Sequence, residues 1–251
     1  MDATGADGTI RRVAIVGGGR LGTALAKALR AIHTDVVGPI GRTEPLDRFR
    51  DDDLVLLTVP DEAIAAVAAA IPPGPVVGHC SGALTLEVLG AHEAVSMHPL
   101  LSVTDEGATF DGAACAVAGR TPRAFAAALT LVRALGMEPI AVPDEVRSLY
   151  HAAASTASNY LVTLEDAASQ LASSVGLERR HLARLAQSAL DNWTRLGGPA
   201  ALTGPIVRGD DATVARQREA TMRVAPHLLP LWDELANATR ALADRKTAGL
   251  P

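Results

Sequence analysis

The β-branched run Val13-Ala14-Ile15-Val16 leads directly into Gly17-Gly18-Gly19-Arg20-Leu21-Gly22, and an alanine-rich stretch to about Ala31 follows. Glycines spaced GxGxxG are common by chance, but here they sit between an apolar strand and an amphipathic helix. That context narrows the chain to a βαβ unit of dinucleotide-binding, Rossmann type. Gly17 turns the chain, Gly19 lets a phosphate approach the backbone, and Gly22 lets the helix pack on the strand. Free N–H groups and the positive helix end then face a pyrophosphate, which makes Gly17, Gly19, Arg20, Leu21 and Gly22 candidate cofactor-binding residues.

The alternation continues beyond the first unit. Short apolar runs recur at Val36-Val37, Leu54 to Val59, Val76-Val77, Ala94 to Met97, Ala114 to Val117 and Pro139 to Val142, separated by alanine-rich helical segments. This is the pattern of a parallel sheet covered by helices. Seven strands exceed half of a simple doubly wound sheet, so the later ones are read as extending it, with antiparallel pairing left open. After Pro143 the apolar residues fall at three- and four-residue spacing, which predicts helices only. The expected fold class is therefore α/β: an N-terminal Rossmann domain over residues 1–143 and an all-α domain over 144–251. The first helix is expected to start on an Asp144 cap and run to about Ser174. Others are predicted at 178–196, 210–223 and 226–245. The cleft between the domains is the default ligand site.

Composition excludes several classes. With a formal net charge of -5 and 20% charged residues, no broad basic field exists to hold a nucleic acid. Cys80 and Cys115 stand far apart outside any CxxC or Cys/His cluster, so neither a disulfide framework nor a metal site is expected, and a cytoplasmic setting fits. Met1 to Thr9 lacks an apolar stretch and reads as a disordered leader, not a secretory signal. The longest apolar run, Ala63 to Ile71, is about half of the roughly 20 residues a membrane span needs, so no membrane partner is expected. Lys27 and Lys246 are the only lysines, so a catalytic lysine has almost nowhere to be.

Cofactor choice turns on the end of the second strand. An acidic residue there binds ribose hydroxyls in NAD-binding forms, whereas this chain has Gly41-Arg42-Thr43, with Asp35 placed before the strand. A guanidinium and a hydroxyl suit a 2′-phosphate, so NADP(H) is expected over NAD(H). The alternative is that Arg42 is a solvated loop charge. Val59-Pro60-Asp61 ends the buried strand from Leu54, where the cofactor would cross the sheet edge. Cys80, Ser81 and Gly82 put small groups beside the expected nicotinamide position.

The chain resembles the bacterial Rossmann-like proteins that carry a DUF2520 domain, within the 6-phosphogluconate dehydrogenase-like superfamily. The residues that carry the resemblance are Gly17 to Gly22, Leu54 to Asp61, His79 to Gly82, Met97 to Leu100, Tyr150 to Ala154 through Asn159-Tyr160, and Leu202 to Asp210. It covers nearly the whole chain. The resemblance implies a Rossmann domain, a helical dimerisation domain and hence a homodimer, and a reductase-like cleft. Some members look like ketopantoate reductases.

Reduction of a carbonyl or imine needs a hydride, a proton donor and groups that polarise the acceptor. His151, Ser155 and Asn159 lie four apart, each about 40° around an ideal helix from the last, and form one polar stripe. Related 3-hydroxyacid dehydrogenases place lysine and asparagine four apart on this helix, and Ser155 stands here where they have lysine. Serine cannot be a cationic acid. His151, one turn earlier, is then the expected proton donor, with Ser155 and Asn159 orienting the acceptor. A helix-packing role for His151 and an interhelical bond for Asn159 are the plainer alternatives. His98, at a strand end before Pro99, is a second acid or binding candidate or else a rigid loop anchor. Arg208 in a Gly/Pro-framed turn could clamp a substrate carboxylate, the plainer alternative being a structural bond to helix carbonyls or Asp210. The polar loop from Ser102 to Gly112 either closes over the site or is a surface excursion. His33, His92, His181 and His227 read as surface or packing residues.

These readings converge on an NADPH-dependent oxidoreductase acting on a small 2-oxo acid or similar carbonyl, with ketopantoate the leading substrate. The rival readings are a non-catalytic NADP-binding regulatory protein and an imine reductase of pyrroline carboxylate reductase type.

Overall fold

The computed structural model describes residues 10–41, 43–51 and 53–247. The chain divides into two compact units, Met1–Thr156 and Ala157–Pro251. The first contains one seven-stranded sheet built from β1 (Arg12–Val16), β2 (Asp35–Ile40), β3 (Leu54–Leu57), β4 (Val76–His79), β5 (Ala94–Pro99), β6 (Ala114–Gly119) and β7 (Glu138–Ala141). Their order is β2-β1-β3-β4-β5-β6-β7. Every pairing is parallel except β5 with β6, so the extension beyond β5 begins with one antiparallel step.

Period-two alternation sends residues of each strand to opposite faces, and both faces are apolar because helices cover both. Val13 and Ile15 join one buried cluster with Ala24, Leu25 and Leu29 of α1 (Arg20–Ala31), while Ala14 and Val16 join a second with Ile64 and Ala68 of α2 (Asp61–Ala69). The first cluster also takes Ala124, Ala128 and Leu131 from α3 (Pro122–Ala134), whose start is fixed by Thr121 Oγ1 accepting the Ala124 N–H at 3.1 Å. Because β1 lies between β2 and β3, the winding reverses at its carboxyl end. That is where an open α/β sheet offers a crevice.

The single helix expected from Asp144 is instead a 3₁₀ turn (Asp144–Val146), then α4 (Arg147–Ser155), a π-helical stretch (Thr156–Tyr160) and α5 (Leu161–Ser173). Asp144 does not cap its own helix; its Oδ2 accepts the Leu86 N–H at 3.0 Å. The change from strands to helices does fall between Ala141 and Asp144, but the first compact unit continues through α4. Arg147, 1% exposed, explains this: its Nη2 donates to the Ser81 carbonyl at 3.1 Å and ties the helix to the sheet edge.

The second unit is helical, as the spacing predicts. Besides α5 it contains α6 (Arg179–Leu196), the short α7 (Gly198–Ala201), α8 (Asp211–Val224) and α9 (Leu229–Thr247). A capping box of Glu178 and His181 starts α6, and Asp210 caps α8 by accepting the Thr213 N–H at 3.0 Å.

Candidate functional site

The glycine loop divides into two close-packed positions and two open ones. Gly17 has φ +118°, and a Cβ there would lie 2.7 Å from the Thr58 carbonyl carbon. A Cβ on Gly22 would stand 2.0 Å from the Gly17 oxygen and 2.4 Å from Thr58 Oγ1. Thr58, just past β3, locks the turn from below: its hydroxyl donates to the Gly17 carbonyl at 2.9 Å and its N–H to Val16 O at 2.8 Å. Nothing lies within 4 Å of where a Cβ on Gly18 or Gly19 would be. Gly19 is the extended N-cap of α1, no side chain accepts the first N–H groups of the helix, and its first turn carries no acid. An open cradle with unmade backbone donors fits a phosphate group.

Gly18, Gly19, Arg20, Thr23 and Lys27 also line a cavity of about 930 Å³, whose far wall is the loop from Thr104 to Thr109. Arg20 Nε is 3.9 Å from Asp105 Oδ1 across it. The loop from Ser102 to Gly112 thus faces the glycine loop. Leu21 is half-buried on α1, and Thr43 is exposed in the turn after β2. Arg42 lies outside the described residues.

The ends of β3 and β4 meet a short way along the same edge. Half-buried Val59 and exposed Pro60 lead into α2, and Asp61 Oδ2 accepts the Ser81 hydroxyl proton at 2.8 Å. Ser81 Oγ in turn accepts the N–H groups of Ala83 and Leu84, both at 3.1 Å, so the turn around Gly82 is firmly held. Beneath it, the Ser81 N–H donates to His79 Nδ1 at 3.2 Å, which leaves Nε2 to donate to Thr85 O at 3.3 Å. Burial, and then the Arg147 charge, pull His79 down to about 4, consistent with this neutral tautomer. Burial pushes the Cys80 thiol far up, so Cys80 is a small filler here and not a nucleophile.

Two histidines flank Gly82. A Cβ on that residue would stand 2.8 Å from both His98 Cε1 and His151 Cδ2, and 2.9 Å from His98 Nε2. The two rings are 6.3 Å apart between centroids. On the other side of the His98 ring, Nδ1 is 2.5 Å from the Tyr150 hydroxyl. His98 is pulled down to about 4 by burial first, then by His151 and Arg147. Glycine is the residue that lets two imidazoles close on one backbone position.

Of the expected polar stripe, His151 and Ser155 both lie on α4 and are half-buried. Asn159 lies in the π-helical stretch and belongs to the second unit. The wider π turn breaks the four-residue register from Ser155 to Asn159, because its bonds run between residues five apart. Arg208 is exposed in the second unit, on the turn between Gly204 and the Asp210 cap. Sequence reasoning assigned no role to Thr58, Arg147 or Tyr150, although Thr58 and Tyr150 fall within the blocks that carry the family resemblance. A signal existed for Arg147 and Tyr150, since Arg147, Tyr150 and His151 sit at i, i+3 and i+4 on one helical face.

The remaining histidines do structural work. His92 Nε2 bonds Ala68 O at 2.9 Å, His181 Nδ1 accepts the Glu178 N–H at 3.0 Å, and His227 Nε2 bonds Gln170 Oε1 at 3.0 Å. His33 takes a left-handed φ of 63° after α1. Among the described residues, no group of three His, Cys, Asp or Glu could hold a metal ion, and no helix is long and apolar enough to cross a membrane.

A doubly wound sheet, a glycine cradle at its switch point and a helical second unit define the class as a Rossmann-type α/β protein with an α-helical partner unit. Residues 113–239 match the family model described as "Domain of unknown function (DUF2520)", and the chain belongs to that family. Solved structures similar to it include a Bacteroides fragilis protein provisionally assigned as an NADP oxidoreductase, at 16% identity, 92% and 98% coverage of this chain and of that one, and a TM-score of 0.80. A Thermotoga maritima protein is similar at 24% identity, 94% and 99% coverage, and a TM-score of 0.73. An Aspergillus terreus reductive aminase in complex with NADPH and ethyl-5-oxohexanoate is similar at 16% identity, 96% and 95% coverage, and a TM-score of 0.66. These likenesses are of fold. No curated protein matches the sequence significantly.

Proposed function

We propose that the protein is an NADPH-dependent reductase of a small carbonyl compound, with 2-oxo acids such as ketopantoate as the leading class. The observation that carries this reading is the pairing of His98 and His151 over Gly82, at the same strand-end edge as an open glycine cradle. When bound, the nicotinamide supplies a hydride to the acceptor carbon. The chain's residues supply the rest. Gly18, Gly19 and the first N–H groups of α1 hold the pyrophosphate, with Gly17, Gly22 and Thr58 fixing the loop behind them. Arg42 and Thr43 after β2 take the 2′-phosphate. Val59, Pro60 and the Asp61–Ser81 bond shape the edge over which the cofactor lies.

Reduction of C=O to CH–OH consumes one hydride and one proton. In this reading His151, half-buried beside Gly82, gives the proton. His98 is a poor acid, because burial already holds it neutral. Ser155, one turn on along the same helix, orients the acceptor. Likeness to a reductive aminase supports imine reduction as the second reading.

Steady-state NADPH oxidation with a panel of 2-oxo acids tests the proposal. Turnover is expected, and His151→Ala should lower kcat roughly 100-fold or more while NADPH affinity stays near wild type. Unchanged turnover in that variant removes His151 from the chemistry. Tight NADPH binding with no oxidation by any acceptor favours a regulatory, non-catalytic protein instead.

A further inference from the structure

Which nitrogen of His98 carries its proton decides what that ring can do at the Gly82 edge. Nδ1 faces the Tyr150 hydroxyl at 2.5 Å, and Nε2 lies on the other side of the ring, toward Gly82. Around His98 stand His151, Arg147 and Tyr150 from α4, Asp61 from α2 and His79 from β4. Burial dominates among these influences and keeps the ring uncharged at pH 7. Burial also pushes Tyr150 up to about 12, so the phenol keeps its proton. When two neutral groups share one hydrogen bond, the better acid donates: the phenol is a stronger acid than neutral imidazole, and the imidazole nitrogen is the stronger base. Tyr150 O–H therefore donates to Nδ1, and the ring proton resides on Nε2.

We infer that Tyr150 is a positioning residue that fixes His98 as a neutral Nε2–H donor beside Gly82, and that the site takes an acceptor with a free lone pair, a carbonyl oxygen, in preference to a protonated imine. An iminium N–H is itself a donor and offers nothing to Nε2–H. Charge points the same way. Arg147 is a buried cation whose Nη2 bonds only the uncharged Ser81 carbonyl, while its Nε and Nη1 make no hydrogen bond among the described residues. Asp144 opposes that charge, but of the fixed charges that act on His98 Arg147 outweighs Asp61, and Asp61 is engaged by the Ser81 hydroxyl. The substrate preference rests on the reductase reading; the proton placement does not.

Nitrogen-15 NMR of labelled histidines between about pH 5 and 8 tests the placement without any substrate. His98 should appear throughout as the neutral Nε2–H tautomer, and Tyr150→Phe should relax it toward a mixture of tautomers. A wild-type His98 that is protonated on Nδ1, or charged at pH 7, overturns the inference whether or not the variant folds. The substrate arm compares pyruvate and ketopantoate with pyrroline in NADPH oxidation. The oxo acids should be reduced, and Tyr150→Phe should lower kcat roughly 10–100-fold with the KM for NADPH unchanged. Reduction of pyrroline alone overturns the carbonyl preference and leaves the reductase reading standing. Oxidation by none of the three overturns the preference together with that reading.

Discussion

His79 and His98 sit on adjacent strands and are both held neutral by burial, so they couple stability to pH. Each titrates near 6.5 when exposed and is pulled to about 4 in the folded protein. Between those values the unfolded chain binds more protons, so stability rises with pH through the window. The contribution is fully present above about pH 6.5 and is lost as pH falls toward 4, at up to roughly 3 kcal/mol for each ring. Urea unfolding across this range should show the slope, and His79→Gln should flatten it; an unchanged slope would contradict the assignment. At this scale the sequence showed the glycines and both edge histidines. It did not show Thr58 or Arg147. A lone threonine or arginine carries no pattern of its own, and only the packing of β3 against the glycine loop, or of α4 against the Ser81 turn, gives it a task.

Elements were far more legible than their joints. All seven strands lie where β-branched runs predicted them, because a parallel sheet covered on both faces forces continuous apolar segments. The helix after Asp144 was not legible as built, since apolar spacing does not encode a π stretch and the buried Arg147 overrides the polar reading of that turn. The β1–α1 joint offers the clearest mutational contrast. Gly22→Ala should destabilise the protein by about 1–3 kcal/mol or more, through the clash of its Cβ with Gly17 O, and should abolish NADPH binding. Gly19→Ala meets open space at an ordinary φ of -70° and should cost about 0.5 kcal/mol or less, yet weaken NADPH binding at least tenfold by crowding the phosphate. Urea midpoints and NADPH fluorescence titrations separate the two. Equal effects of both variants on stability would refute the division of the loop into packed and open positions.

For the whole molecule, the second unit leaves much apolar surface uncovered within one chain. No residue of α6 is buried, and Leu185 and Trp193, two turns apart, are 70% and 59% exposed. We propose that a second copy of the chain covers this face, since large apolar side chains left exposed along a helix with no buried residue are what an association face supplies. Sedimentation velocity should find a dimer, and Leu185→Glu with Trp193→Glu should yield a monomer that still binds NADPH. A wild-type monomer at micromolar concentration would rule this out.

The central claim is hydride transfer at the Gly82 edge, and its most direct test is isotopic. NADPH carrying deuterium at the reactive ring carbon is incubated with the protein and ketopantoate or another 2-oxo acid, and the product is read by mass spectrometry. Deuterium on the new carbinol carbon, reduced in rate by His151→Ala, is the predicted result. Bound NADPH that keeps its label in the presence of every acceptor would contradict it.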